Sequence, residues 1–148
     1  MSNHVSVDSL IHIMEQKCEK KAGILEIPVF RTIPCGPPNF IDNEVQGYIE
    51  LPERMLGPGE YFILRAKGDS MADAGIADQD LVVIKKQDYA EENQIAVALV
   101  DGEVTLKRLH VDKKKRMIIL KPENSNYSPI IVKECIVLGV AVKVIKDL

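Results

Sequence analysis

Residues 95–109, IAVALVDGEVTLKRL, predict an antiparallel β-hairpin. Two runs rich in Val, Leu and Ile, 95–100 and 103–109, lie on either side of the dipeptide Asp101-Gly102. An Asp-Gly pair between two such runs is typical of a two-residue hairpin turn, because both residues tolerate the positive φ that this turn requires. We therefore expect strands, not helices, in this part of the chain.

Further short runs of the same composition follow Gly47 along the chain. Turn-forming residues separate them, and residues 71–77 add a short helical turn. Many closely spaced short strands indicate a mostly β fold, with mainly antiparallel strands in a barrel-like or sandwich arrangement. The predicted strands are 48–51, 61–66, 81–86, 95–100, 103–109, 117–121 and 136–145.

Composition excludes several classes of function. The 148 residues and the net charge of −3 suit one compact domain with a short appendage and argue against a chain that binds polyanions over its whole surface. The basic run 113–116 is predicted to be an exposed hairpin tip. Three cysteines without C-x-x-C spacing and three scattered histidines indicate neither a disulfide framework nor a metal site, and no cofactor is expected. Without an apolar stretch of about 18 residues or a signal peptide, the sequence predicts a cytoplasmic protein with no membrane contact.

Residues 1–26 are predicted to form a short N-terminal arm with one helix. Apolar residues recur at helical spacing over 5–21, Asp8 or Ser9 can cap the helix, and Gly23 can end it. One helix is too little for a helix-turn-helix domain, so no complete DNA-binding head is expected before the β region.

Residues 27–47 are predicted to form an extended linker, and residues 48–148 to form the β domain. Prolines at positions 28, 34, 37 and 38 punctuate the linker. Proline removes a backbone donor and biases the residue before it toward extended conformations, so we expect neither a helix nor a central strand here.

The tetrapeptide Gly68-Asp69-Ser70-Met71 follows a predicted strand and opens the predicted helical turn. Its serine is a candidate nucleophile, because an exposed hydroxyl on a sharp turn would lie beside backbone N–H groups of Ser70 and Met71 that can stabilise an oxyanion. For the tetrapeptide alone, helix capping by serine or aspartate is the simpler explanation.

A serine nucleophile needs a base, and a lysine kept neutral by burial is one solution. Lys107 lies inside the predicted strand 103–109 between apolar neighbours, where burial would lower its pKa toward the working range. Arg108 is excluded because arginine stays protonated. Taken alone, Lys107 is more simply explained as an exposed strand lysine.

Together these residues resemble the LexA/UmuD family of self-cleaving bacterial regulators. The resemblance runs from about Ile33 to the C-terminus and depends on the order and spacing of a serine, a lysine and a later proline-flanked segment. It implies a compact LexA-like catalytic β-fold. The matching segments are 68–71, Gly75-Ile76, Asp80-Leu81, 101–103, Lys107 and 124–129.

The resemblance also implies which bond is cut. In the family the serine attacks a small-residue–glycine bond in the chain's own N-terminal linker, and the matching bond here is Cys35-Gly36. Ser70 would be the nucleophile, Lys107 the general base, and the N–H groups of Ser70 and Met71 the oxyanion hole. An ordinary proline-rich linker with an incidental Cys-Gly pair is the alternative. The family further implies a homodimer, with a RecA–single-stranded-DNA filament as the trigger of cleavage.

Several functions share such a catalytic domain. The short arm without a helix-turn-helix favours a UmuD-like accessory subunit of an error-prone DNA polymerase, acting in the SOS response to DNA damage. The alternative is a LexA- or phage-repressor-like transcriptional regulator, which the linker segment 33–38 suits, although the missing head argues against direct DNA binding. A signal peptidase also uses a serine and a lysine but is anchored in a membrane, and nothing in the sequence supports an inactive interaction module.

Overall fold

Strands dominate the part of the chain that the structure, a computed structural model, describes: residues 2–4, 15, 17–31 and 45–148. This part contains eleven strands, a one-turn helix α1 (Glu53–Leu56) and a 3-10 turn (Ala72–Ala74). No helix among these residues is long and apolar enough to cross a bilayer. The strands are β1 (Ser2–His4), β2 (Glu19–Lys21), β3 (Ile24–Phe30), β4 (Val45–Pro52), β5 (Tyr61–Arg65), β6 (Leu81–Lys86), β7 (Ile95–Val100), β8 (Glu103–Asp112), β9 (Met117–Lys121), β10 (Ile130–Val132) and β11 (Ile136–Ile145).

The eleven strands of the described residues form one sheet. Its order is β10-β9-β8-β7-β11-β6-β5-β3-β2, with β1 also paired to β8 and β4 to β3. Neighbours are antiparallel except β3 and β5, which pair in parallel. β11 lies between β6 and β7, although β6 and β7 follow each other in sequence. β11 therefore joins one half of the sheet, β2 to β6, to the other half, β7 to β10.

The hairpin of β7 and β8 forms as the sequence predicts. Its turn residues Asp101 and Gly102 have φ values of 50° and 77°, the left-handed conformation that this two-residue turn needs. The register places Ala96 opposite Lys107. Because side chains alternate between the two faces of a sheet, Lys107 shares its face with Thr105.

The central core lies on one face of the sheet and receives side chains from both halves. Phe30 and Phe62 pack edge to face there, with ring centroids 6.3 Å apart. Alternate residues of the same strands, such as Tyr61 and Ile63, form a second cluster on the opposite face. Close packing on both faces keeps the sheet rigid around the residues it carries. The buried residues of the central core are Phe30, Phe62, Leu64, Ala66, Met71, Ile76, Val82, Ile84, Val97, Val104, Leu106 and Leu138.

The prediction of a mostly β fold with mainly antiparallel strands is confirmed. The strands predicted after residue 47 agree with the observed strands to within a few residues at each end. The predicted helical turn at 71–77 contains the 3-10 turn Ala72–Ala74. β10 was not predicted, because its run of three β-branched residues is shorter than the four to eight residues that indicate a strand.

The helical prediction is wrong for Glu19–Lys21, which forms β2 and pairs with β3. Gly23, predicted to end a helix, is the second residue of a hairpin turn. Ala22 and Gly23 have φ values of 53° and 79°, which a tight hairpin requires and a helix excludes. The single glycine signal fits a helix end and a hairpin turn equally well, so the sequence pattern did not separate them.

The prediction of a linker is wrong for Ile27–Phe30, which belongs to the central strand β3. Pro28 lies inside this strand opposite Tyr48. A proline lacks the N–H and has a fixed φ, but this φ is compatible with an extended strand, and Pro28 falls between the residues that pair with β2 and those that pair with β5. The remainder of the predicted linker, 32–44, and most of the predicted helix lie outside the described residues.

Candidate active site

Ser70 lies on a sharp turn between β5 and the 3-10 turn. Gly68 takes a left-handed φ of 85°, and its N–H donates to Asp78 Oδ1 at 2.8 Å. The Met71 side chain is buried and anchors the turn in the central core. Ser70 itself is only 5% exposed, so its hydroxyl faces a cleft and not the open solvent that the sequence suggested.

Lys107 reaches Ser70 from β8, in the other half of the sheet. Lys107 is 5% exposed, and its Nζ lies 3.3 Å from Ser70 Oγ. Nζ also donates to Thr105 Oγ1 at 2.7 Å and to the Leu106 carbonyl oxygen at 3.2 Å. A neutral amine has two N–H donors and one lone pair, so with two acceptors at these positions the lone pair can face the Ser70 hydroxyl. The arrangement suits proton transfer from serine to lysine.

Burial lowers the pKa of Lys107 below the 10.5 of a free lysine, because the charged form loses hydration. At a given pH the neutral amine that a base requires is therefore more populated than in an exposed lysine. Thr105, which is 1% exposed, was missed by reasoning from the sequence. Its signal was its position two residues before Lys107, since residues i and i+2 of a strand share a face.

Residues 123–127, which we call the brace, hold the serine turn in place. The N–H of Glu123 donates to the Ser70 carbonyl oxygen at 2.9 Å. Asn124 Nδ2 donates to the Asp69 carbonyl oxygen at 2.8 Å. Two consecutive carbonyl groups of the turn are thus bonded to the brace, which restricts the backbone that carries the nucleophile candidate.

Tyr127 adds a side-chain contact to the brace. Its hydroxyl donates to Asp69 Oδ1 at 2.5 Å. This bond raises the pKa of Tyr127, because a phenolate beside the carboxylate is unfavourable. The sequence indicated the segment 124–129 only through the family resemblance. Its structural role was hidden because the brace and the turn lie more than fifty residues apart in sequence.

A cleft of about 270 Å³ opens over Ser70 and Lys107. The serine turn, Lys107 of β8 and residues of the segment 127–130 line it. A cleft beside a sheet suits an extended peptide, whose own N–H and C=O groups need partners. The lining residues are Lys67, Gly68, Asp69, Ser70, Lys107, Tyr127, Ser128 and Ile130.

The remaining predicted site residues are not tested by the structure. Cys35 and Gly36 lie outside the described residues, so their bond stays a predicted cleavage site, and the oxyanion role of the Ser70 and Met71 N–H groups also stays a prediction. Burial raises the pKa of the free thiols Cys18 and Cys135, which disfavours the nucleophilic thiolate. Within the described ranges no group of side chains is arranged to hold a metal ion.

A buried serine and a buried lysine in contact at the base of a cleft, on an antiparallel β-sheet, define a site of the serine–lysine peptidase type. Comparison with known families agrees with this class. The chain belongs to the Peptidase S24-like family, which it matches over residues 28–142. The resemblance to LexA/UmuD regulators is thereby confirmed at the level of the family.

Several curated relatives carry the name LexA repressor. The protein from Caldicellulosiruptor saccharolyticus is 37% identical over 136 residues, which are 92% of this chain and 66% of the relative. The protein from Clostridium kluyveri is 42% identical over 125 residues, 84% of this chain and 60% of the relative. The protein from Gluconacetobacter diazotrophicus is 43% identical over 113 residues, 76% of this chain and 44% of the relative. The chain thus spans between 44% and 66% of the length of these relatives.

Proposed function

We propose that this chain is a self-cleaving serine peptidase in a LexA-like regulator of the bacterial SOS response. The observation that supports it is the buried Lys107 Nζ, 3.3 Å from Ser70 Oγ. The bond cut is Cys35-Gly36, Ser70 is the nucleophile and Lys107 is the general base.

The geometry supports a two-step reaction. In the first step Lys107 Nζ takes the proton of the Ser70 hydroxyl as Oγ attacks the carbonyl carbon of Cys35. The resulting oxyanion is stabilised by the N–H groups of Ser70 and Met71. The lysine then gives its proton to the nitrogen of Gly36, the peptide bond breaks, and an ester between residue 35 and Ser70 remains. In the second step water, deprotonated by the same lysine, hydrolyses the ester and restores the serine.

The described residues on either side of the proposed cleavage segment pair within one sheet. Before it, Phe30 pairs with Leu64 of the strand that leads to Ser70, and packs in the same core cluster as Met71. After it, Val45 pairs with Phe30. The segment 32–44 therefore leaves and re-enters the sheet at one place. Such tethering replaces a bimolecular encounter by a local one and raises the effective concentration of the bond.

A LexA-like regulator is favoured over a polymerase accessory subunit. The sequence alone favoured the accessory subunit because no helix-turn-helix was visible, but the relatives reported above are all named LexA repressor. The proposal includes a homodimer and a RecA–single-stranded-DNA filament as trigger, and it leaves out operator binding, for which the described residues offer no element.

The test is the mass of the products. The purified chain is incubated at alkaline pH, and separately with RecA, ATP and single-stranded DNA. We expect fragments 1–35 and 36–148, no cleavage of Ser70→Ala, and normal cleavage of Lys114→Ala, a change at an exposed residue that does not line the cleft. A chain that stays intact under both conditions, or is cut equally well as Ser70→Ala, contradicts the proposal.

A further inference from the structure

The edge of β8 beside Lys107 is occupied by a strand with no part in the proposed reaction. On one side β8 pairs with β7. On its other side β9 pairs with Arg108–Asp112, and β1 pairs with Glu103–Thr105. Among the described pairings, Leu106 and Lys107 lie between these two partners on that side. β1 therefore occupies the part of the edge that leads to the lysine.

The register brings β1 close to the reacting groups. Ser2 lies opposite Thr105, and Asn3 lies opposite Val104. Thr105 is the residue whose Oγ1 accepts a hydrogen bond from Lys107 Nζ at 2.7 Å. The first residue of β1 thus lies beside Thr105, which accepts a hydrogen bond from Lys107.

Because it leads to Lys107, the same edge of β8 suits an extended peptide that reaches Ser70. Its carbonyl carbon must approach Ser70 Oγ, 3.3 Å from Lys107 Nζ, and the β7 side of Lys107 is already paired with Ala96. An incoming strand satisfies its backbone groups most simply by adding to the side of β8 that faces away from β7, next to the lysine. The backbone groups of residues 103–105 on that side are now paired with β1.

We propose that β1 and the scissile strand compete for the Glu103–Thr105 edge of β8, so that docked β1 slows cleavage. The inference rests on the proposed self-cleavage function, and it assigns the edge as the docking surface of residues 2–4 of this chain. Occlusion lowers the apparent rate in proportion to the open fraction: the rate of the open form is multiplied by the fraction of molecules in which the edge is open.

Docking of β1 is expected to be reversible. The strand has three residues, Ser2, Asn3 and His4, and asparagine is depleted in strands. An edge that is closed for between half and nine-tenths of the time corresponds to about two- to tenfold slower cleavage than with an open edge.

The test replaces one residue of β1. Asn3→Pro removes a backbone donor and opposes ladder pairing, whereas the matched control Asn3→Ala keeps the donor. Hydrogen exchange is measured in the Ser70→Ala protein, which cannot cut itself. We expect Asn3→Pro, and not Asn3→Ala, to speed exchange in the peptide that contains Glu103–Thr105.

The competition is measured in two ways, by the affinity for a peptide and by the rate of self-cleavage. A fluorescent peptide of residues 29–42 carrying Cys35→Ser is titrated into the same Ser70→Ala proteins, and cleavage is timed with Ser70 restored. We expect Asn3→Pro to bind the peptide about two- to tenfold more tightly than Asn3→Ala and to cleave faster by a similar factor. Equal affinities, a peptide that binds neither protein, or slower cleavage by Asn3→Pro would overturn the inference.

The two proposals fail in different ways. If no variant cleaves, the proposed function fails, and exchange with peptide binding still decides whether β1 competes for the edge. If wild type cleaves and Asn3→Pro cleaves at the rate of Asn3→Ala, the function stands and the competition is rejected.

Discussion

Thr105→Val tests whether the orientation of Lys107 matters for cleavage. Valine has nearly the shape of threonine, so the change leaves no cavity, but it removes the Oγ1 that accepts from Lys107 Nζ at 2.7 Å. Thr105 and Lys107 are 1% and 5% exposed, so water cannot readily replace the lost acceptor. The experiment therefore tests the hydroxyl that accepts a hydrogen bond from Lys107 in a buried site.

The magnitude follows from burial. A buried donor left without its partner costs about 1–3 kcal/mol. If that free energy appears as misplacement of the amine relative to Ser70 Oγ, cleavage slows about five- to 150-fold, since about 1.4 kcal/mol corresponds to a factor of ten. The same change is expected to lower the free energy of unfolding by about 1–2 kcal/mol, because the polar group stays buried.

The assay is the rate constant for loss of intact chain by mass spectrometry at one alkaline pH. The free energy of unfolding is measured by urea denaturation in the Ser70→Ala background, where no cleavage intervenes. Thr105→Ser is the matched control: it keeps the hydroxyl and loses one methyl group, which costs about 1 kcal/mol of stability with little effect on rate. Thr105→Val that cleaves as fast as Thr105→Ser would refute the reasoning.

Three further predictions concern the same sheet. The cleavage rate should rise as the pH passes through the lowered pKa of Lys107 and then level off. The variant Lys107→Arg should stay intact at every pH. A cleavage rate of the wild type that does not change with pH would contradict the role of Lys107 as base. Gly139→Ala should lower the free energy of unfolding, measured by urea titration, by about 3 kcal/mol, because the added Cβ would lie 2.4 Å from the Lys85 carbonyl oxygen. A decrease in this free energy of less than about 1 kcal/mol would show that β11 and β6 move apart easily. A backbone N–H and Lys146 hold the pKa of Asp80 below the free value of 3.8. The ionised carboxylate therefore stabilises the folded protein above that pH, and this contribution is lost as the pH falls through the pKa of the folded state. Below about pH 4 the melting temperature of Asp80→Asn should therefore fall less steeply with decreasing pH than that of the wild type. Parallel curves would contradict a stabilising role of the Asp80 carboxylate.

The sequence predicted most strands and both members of the Ser70–Lys107 pair, for different reasons. The strands after residue 47 have local signals, namely β-branched runs and an Asp-Gly turn. The pair emerged from a family pattern, since neither residue was distinctive alone. Its contact was not readable from spacing, because the two residues approach only through the order of the strands.

What the sequence did not show depends on long-range pairing. β3 was taken for linker because proline content was averaged over 27–47, whereas burial against β4 and β5 decides its structure. The brace and Thr105 act through side-chain and backbone contacts that no local sequence pattern predicts. Strand order, above all the insertion of β11 between β6 and β7, follows from which apolar faces bury each other over the whole chain.

The position of β11 has a consequence for when the proposed self-cleavage can first occur. Ser70 follows β5 and Lys107 lies in β8, and these two halves are joined by a strand whose residues, 136–145, are made after both. A nascent chain emerging from the ribosome carries the serine and the lysine well before it carries the strand that unites them. We expect the growing polypeptide to be unable to cut itself before this strand has been made and has joined the two halves of the sheet.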